Sequence, residues 1–124
     1  MVHNATDMDR LDEYIFVGNG HDADIVATRS WLAGKAINDE FVQTVTEPTT
    51  SNSGTLYIEH KGNLFYVSFT GYGADNAFAT FTIGGWTSCS QVFIGLWGFT
   101  RYQVLSGQGS YFDNFTVVQS PVAI

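Results

Sequence analysis

Alternation of apolar and polar residues is clearest in the middle of the chain. Phe65 and Val67 alternate with Tyr66 and Ser68, and residues 77–83 show the same two-residue period. Successive side chains of a strand point to opposite faces, so this period is typical of an antiparallel sheet with one buried and one solvated face. The middle of the chain is therefore predicted to form strands of such a sheet.

Turn-forming residues connect this region to further strands upstream. Residues 55–60 also alternate, and the short connection around Gly62 leads directly into the next strand. Glycine adopts the positive φ that tight hairpins need, so residues 55–70 are predicted to form a hairpin. Residues 41–46 have strand composition and are followed by Pro48, which predicts the end of an earlier strand.

The first third of the chain carries weaker signals. Residues 14–17 predict a strand that ends in a turn at residues 18–20. Residues 7–13, capped by Thr6, predict one short helix. Residues 22–33 fit either a helix or a strand, because their periodicity does not separate the two. The β character of the remaining chain favours a strand there.

An aromatic and β-branched run over residues 109–118 predicts the closing strand. The two-residue period places Asp113 between Tyr111 and Phe115 on a largely apolar face. A carboxylate on such a face needs a hydrogen bond or a metal ion. We therefore expect the main role of Asp113 to be stabilisation of the fold rather than ligand binding.

About seven or eight short strands with glycines at their ends predict an all-β protein. The architecture expected is an antiparallel two-sheet β-sandwich that is jelly-roll-like. The 124 residues suffice for one domain, and no linker divides the sequence. A single domain over residues 1–124 is therefore predicted.

Composition narrows the classes of partner. Five Lys and Arg oppose twelve Asp and Glu, for a formal net charge of -7. Such a chain offers no basic face for nucleic acid or for an anionic membrane. No apolar run approaches the length of a membrane span, and the first residues lack the pattern of a secretion signal. The expected locations are extracellular or in a virion.

One short pattern resembles a dinucleotide-binding turn. Residues 14–23 place Gly-x-Gly-x-x-Ala after a predicted strand. No further alternation of helices and strands follows, which argues against this interpretation. His21, Asp22 and Asp24 have a spacing that suits a metal ion, although a solvated acidic loop is favoured.

Other acidic residues give equally weak evidence for a catalytic site. Glu59 and Asp113 both lie in predicted strands, where paired carboxylates would suit glycoside hydrolysis if they met across a cleft. The sequence does not bring them together, and a non-enzymatic protein is predicted. A structural Ca²⁺ near Asp113, or near Asp22 and Asp24, is the only cofactor that the pattern admits.

Aromatic residues give the remaining signal. Tyr66 and Tyr72 fall on the polar face of their strand, and Trp86 follows two glycines in a predicted turn. An exposed ring with polar neighbours can stack on the apolar face of a sugar or bury against another protein chain. The predicted ligand-binding residues are Tyr66, Tyr72, Trp86 and Trp97.

The end of the chain, Gly-Ser-Tyr-Phe-Asp-Asn-Phe-Thr-Val over residues 109–117, resembles the last strand of a group of β-sandwich families. These are the jelly-roll domains of the carbohydrate-binding-module, galactose-binding and concanavalin A-like type. Residues 53–58 and 79–83 look similar in order and spacing, so that the resemblance covers about residues 38–118. It implies a sandwich that often binds glycans, with Asp113 either facing a structural calcium site or bonded to a neighbouring loop.

Two functions follow as expectations. The first is a non-enzymatic binding module that recognises a glycan or a glycosylated surface through exposed aromatic residues. The alternative is a viral structural protein, such as a phage capsid decoration or tail component, that acts through subunit contacts. Glycans or other protein subunits are accordingly the expected partners, and a homo-oligomer suits the second function.

Overall fold

The computed structural model of the protein describes residues 1–4, 13–22, 25–84, 92–96 and 112–118. The chain divides into two compact units, Met1–Ile94 and Gly95–Ile124. The first unit holds all the described strands. The expectation of a single domain over residues 1–124 stays a prediction.

Regular structure in the first unit is almost entirely β. A single turn of 3-10 helix, Ala74–Asn76, is the exception among the described residues. The strands are β1 (Val2–Asn4), β2 (Tyr14–Asp22), β3 (Val26–Ile37), β4 (Glu40–Pro48), β5 (Tyr57–Lys61), β6 (Leu64–Ser68), β7 (Ala79–Thr82) and β8 (Val92–Ile94).

These strands form two sheets in which every pairing is antiparallel. The five-stranded sheet has the order β4-β3-β2-β1-β8, and the three-stranded sheet has the order β5-β6-β7. Strands that follow one another in the chain are neighbours within each sheet, and β8 joins the first sheet by pairing with β1. The prediction of an all-β, antiparallel protein is confirmed.

One apolar core draws side chains from both sheets. Ile15 and Ala33 belong to the five-stranded sheet, and the other members come from β6, β7 and the residue that follows β7. The buried members are Ile15, Ala33, Phe65, Val67, Ala79, Phe81 and Ile83. Burial of each Phe, Val or Ile side chain removes enough apolar surface from water to contribute about 1.5–3 kcal/mol. These residues are therefore the main stabilising contacts of the described fold.

The predicted hairpin is confirmed, but the alternation predicted for residues 55–60 is not seen in β5, whose residues are half-buried or exposed, and Ser68 of β6 is buried. Gly62 and Asn63 connect β5 to β6, and Gly62 has φ 66°. This positive φ at the first turn position suits a two-residue hairpin. Along β7, Ala79 and Phe81 are buried while Thr80 and Thr82 are exposed, as the two-residue period predicts.

Residues 26–33 lie in a strand, as the β character of the remaining chain favoured. β3 has no alternation in burial because Trp31, Leu32, Ala33 and Gly34 are all buried. A strand that is covered on both faces loses its two-residue pattern. This explains why periodicity did not separate helix from strand in this segment.

The predicted turn at residues 18–20 is wrong. β2 continues through Gly18, Asn19 and Gly20, which pair with β3, and the register shifts only between Gly20 and Asp22. Neither Gly18 nor Gly20 would meet a neighbour within 4 Å if it carried a side chain. The glycines here lie inside a strand, so the resemblance to a dinucleotide-binding turn is also overturned. Such a turn leads into a helix.

The predicted closing strand is wrong for the residues that the structure describes at the end of the chain. Residues 112–118 of the second unit have no regular structure and are all exposed. Asn114 has φ 53°, a left-handed conformation that interrupts an extended run. Asp113 is therefore exposed rather than enclosed by apolar side chains. Residues 109–111 lie outside the described part.

The predicted N-terminal helix falls mostly on residues 7–12, which lie outside the described residues. Within the described part of the chain, no helix has the length and apolar character that crossing a membrane would require.

Candidate binding site

Tyr66 and Tyr72 are the two predicted ligand-binding residues that the structure describes. Tyr66 lies in the middle of β6 and is half-buried, whereas Tyr72 lies in the loop after β6 with 49% of its surface exposed. Trp86 and Trp97, the other two predicted residues, lie outside the described residues. The candidate site is therefore built around the three-stranded sheet.

One face of this sheet turns away from the core, and we call it the outer face. The core side is defined by Phe65, Val67, Ala79 and Phe81. Residues of opposite parity form the outer face, where Tyr66 has Glu59 as its partner on β5 and Thr80 as its partner on β7. The outer face comprises Tyr57, Glu59, Lys61, Leu64, Tyr66, Thr80, Thr82 and the buried Ser68.

A pair of tyrosine rings borders the outer face. Tyr57 and Tyr72 meet edge to face, with ring centroids 4.9 Å apart and an interplanar angle of 79°. This is one of the arrangements that aromatic pairs prefer, and it holds both rings in place. The two rings stand at nearly a right angle, so that the pair offers a flat ring surface with a second ring beside it.

Glu59 connects β5 to the loop that carries Tyr72. Its Oε2 accepts a hydrogen bond from the backbone N–H of Gly73 at 3.0 Å. A carboxylate that accepts a backbone N–H holds that loop with a charge-assisted hydrogen bond. The free lone pairs of the same carboxylate can accept hydrogen bonds from hydroxyl groups of a ligand.

Ser68 fixes the beginning of the same loop. Its side chain is 2% exposed, and its Oγ donates to the carbonyl of Asn76 at 2.8 Å. The same Oγ accepts hydrogen bonds from the N–H groups of Thr70 at 2.9 Å and Gly71 at 3.2 Å. Further along, Asn76 Nδ2 donates to the carbonyl of Tyr72 at 2.7 Å. The Tyr72 backbone is therefore held in place by the loop itself.

Sequence reasoning placed Tyr66 and Tyr72 on one face, but it did not select Tyr57 or Glu59 as ligand-binding residues. The predicted hairpin contained the missing signal. With a two-residue turn at Gly62 and Asn63, the register places Glu59 directly opposite Tyr66 and Tyr57 two positions further along the same face.

The predicted metal-binding residues do not form a metal site in the described part of the chain. No group of three or more His, Cys, Asp or Glu side chains converges among the described residues. Asp113 is exposed, and its Oδ1 accepts a hydrogen bond of 3.4 Å from Asn114 Nδ2. Asp22 ends β2, and Asp24 lies outside the described residues.

The outer face combines the groups that carbohydrate recognition uses. Aromatic rings can cover the apolar face of a sugar, and the carboxylate and threonine hydroxyls can hydrogen-bond to its oxygens. Comparisons with known proteins add no assignment, because no family model, curated protein or solved structure matches this chain.

Proposed function

We propose that this protein is a non-enzymatic binding module that recognises a glycan through the outer face of the three-stranded sheet. The observation that carries the proposal is the grouping of Tyr57, Tyr72, Glu59 and Tyr66 on one face, where Tyr72 is exposed and the other three are half-buried. Sequence alternation expected two of these residues there. The hairpin register and the loop contacts add the other two.

The charge of the site favours a neutral glycan. Glu59 contributes a carboxylate to the middle of the outer face, Lys61 contributes a positive charge at its hairpin end, and the chain carries a formal net charge of -7. A sugar that bears a carboxylate or sulfate would be repelled by Glu59 and by the net charge, whereas neutral hydroxyls donate hydrogen bonds to Glu59. The loop that carries Tyr72 is already ordered by Ser68 and Asn76. Binding therefore costs less conformational entropy than it would with a mobile loop.

A β-sandwich is the architecture that we propose for the first unit. Its support is the single core that draws residues from both sheets. The jelly-roll part of the proposal depends on the resemblance of residues 109–117 to known families. The observed strand order adds no support for a jelly roll: β1 to β4 lie next to one another in chain order in one sheet, and β5 to β7 do so in the other.

A glycan array followed by isothermal titration calorimetry tests the function. Tyr72→Ala removes an exposed ring from the outer face, and we expect it to weaken binding of the best neutral glycan by about tenfold, equivalent to about 1.4 kcal/mol. Phe41→Ala is the matched control, because Phe41 is similarly exposed, at 46%, but lies on β4 of the other sheet. The control variant should bind as the wild-type protein does.

An empty array with no heat of binding, or equal affinity for Tyr72→Ala and wild type, would refute glycan binding at this face. Light scattering on the same samples would then assess the alternative of a virion structural protein. The support for that alternative is the outer edge of β4, which pairs with no described strand. Val42 on this strand is 54% exposed. A strict monomer would count against this alternative.

A further inference from the structure

A second polar site lies on the five-stranded sheet, away from the aromatic residues of the outer face. It is an open cavity of about 510 Å³ lined by Thr28, Arg29, Pro48, Thr49 and Thr50. These residues belong to the first part of β3, the end of β4 and the loop that follows. The cavity is shallow and open to solvent, and four of its five lining residues are exposed.

Arg29 is held in a defined position at this cavity. Its Nη1 donates to Asn19 Oδ1 at 2.5 Å, and Asn19 Nδ2 donates to the carbonyl of Ser51 at 2.9 Å. The backbone of the same residue is fixed as well, because its carbonyl accepts from Thr49 N–H at 3.1 Å. The guanidinium is therefore oriented before any ligand arrives, which reduces the entropy cost of binding.

The charge of Arg29 is not neutralised by these contacts. Asn19 is an uncharged amide, and in the part of the chain that the structure describes no carboxylate lies within ion-pair distance of Arg29. Its remaining N–H groups are available to an anion.

Threonine hydroxyls complete the lining. Thr49 Oγ1 accepts a hydrogen bond from Ser51 N–H at 3.1 Å, and its own O–H remains available to donate. Thr50 also lines the cavity, whereas Thr28 is next to Arg29 on β3, so that the two-residue period directs its side chain to the opposite face of the sheet. Such a lining can bind both a charged group and the neutral hydroxyls next to it.

We propose that this cavity binds a small ligand that carries a carboxylate, with Arg29 as the anchoring residue. The planar guanidinium matches a carboxylate through two parallel N–H···O bonds, a geometry that lysine cannot reproduce. The threonine hydroxyls bind polar groups beside the carboxylate. This proposal is independent of glycan binding at the outer face, since the two sites share no residue.

Glu47 provides an opposing charge that the test can use. It lies on β4 opposite Trp31, and the two-residue period places its side chain on the same face of the sheet as Arg29. Its negative charge weakens the attraction for an anionic ligand. Removal of this charge should therefore strengthen binding, and removal of the Arg29 charge should weaken it.

Glucuronate and glucose form the probe pair, because they differ only in a carboxylate that replaces a hydroxymethyl group. Both are measured in the Tyr72→Ala protein, in which the outer face is weakened, and we expect glucuronate to bind detectably by calorimetry and more tightly than glucose. Arg29→Gln should reduce the affinity for glucuronate at least about tenfold, since hydrogen bonds to charged groups are among the stronger ones. Arg29→Lys should retain only part of the affinity for glucuronate. Glu47→Gln should raise this affinity, and Tyr72→Ala should leave it unchanged.

Three results would overturn the proposal: equal binding of glucose and glucuronate, unchanged affinity for Arg29→Gln, and equal or tighter binding of inorganic phosphate. The last would indicate a general anion site. Thermal melts of each variant establish that it is folded. If Arg29→Gln does not fold, Glu47→Gln and Thr50→Val test the proposal instead, because both change exposed residues. The proposal requires that Glu47→Gln bind glucuronate more tightly and that Thr50→Val bind it more weakly.

Discussion

The two sheets of the first unit differ in how many of their faces are covered. In the five-stranded sheet, β3 buries Trp31, Leu32, Ala33 and Gly34 in succession, so that both faces of this strand are shielded from water. In the three-stranded sheet, β7 alternates strictly between buried and exposed residues. The covered centre of β3 contributes to stability, whereas the alternation in β7 leaves a face on which ligand-binding residues can be placed.

This difference also decides where function can lie in each sheet. The three-stranded sheet carries Tyr66 and Glu59 in the middle of its strands. In the five-stranded sheet, the candidate site around Arg29 lies where β3 begins and β4 ends, because the centre of β3 is covered. We therefore expect substitutions in the sheet centres to affect stability and those at the two candidate sites to affect binding.

The largest predicted effect concerns the core under the three-stranded sheet. Phe65→Ala removes a ring that is fully buried between the sheets, which should lower the free energy of unfolding by about 3–5 kcal/mol. Phe41→Ala removes the same atoms from an exposed position on β4 and should cost less than about 1 kcal/mol. Urea denaturation of both variants measures the difference. Similar losses would contradict the assignment of the core.

The next effect tests the packing of the five-stranded sheet. A Cβ at Gly34 would lie 2.4 Å from Cε1 of Phe16, its partner on β2, and 3.0 Å from the carbonyl oxygen of Gln43. Gly34→Ala should therefore lower the free energy of unfolding by about 1–3 kcal/mol through overpacking.

Gly18→Ala is the control for this prediction, because a Cβ there meets nothing within 4 Å. It should be neutral, or stabilising by about 0.4–1 kcal/mol through a less flexible unfolded chain. The double variant Phe16→Ala, Gly34→Ala should recover much of the loss. A Gly34→Ala protein as stable as Gly18→Ala would show that the Phe16 ring does not lie over Gly34.

The smallest effect is a pH dependence at the start of β2, the central strand of the five-stranded sheet. Burial raises the pKa of the Tyr14 hydroxyl above its usual 10.0, and the negative charge of Asp39 raises it further. Above pH 10 the unfolded chain loses this proton while the folded protein keeps it. The contribution of Tyr14 to stability is therefore complete below pH 10 and is lost as the pH rises through the folded-state pKa.

Denaturation curves between pH 9 and pH 11 test this sign. Tyr14→Phe should show a smaller fall in the free energy of unfolding over this range than the wild-type protein. Asp39→Asn should show an intermediate fall, because it removes only the second cause. An identical slope in all three proteins would contradict the shift.

The candidate sites illustrate how far sequence pattern extends toward function. The alternation around Tyr66 placed it with Tyr72, and the hairpin register at Gly62 would have added Glu59. No local pattern indicates that Glu59 accepts the Gly73 N–H, fourteen residues away. The hydrogen bond between Arg29 and Asn19 likewise depends on the pairing of β2 with β3, which places two strands side by side.

The local sequence pattern predicted the antiparallel β class, the hairpin at Gly62 and the buried face of β7. Each of these depends on neighbouring residues and on a fixed two-residue period. Long-range packing determined the features that the local pattern did not predict. It covered both faces of β3, kept Gly18 and Gly20 inside a strand, and left residues 112–118 exposed despite their strand-forming composition. A strand needs a hydrogen-bonded partner, and the residues of a segment do not reveal whether the fold supplies one.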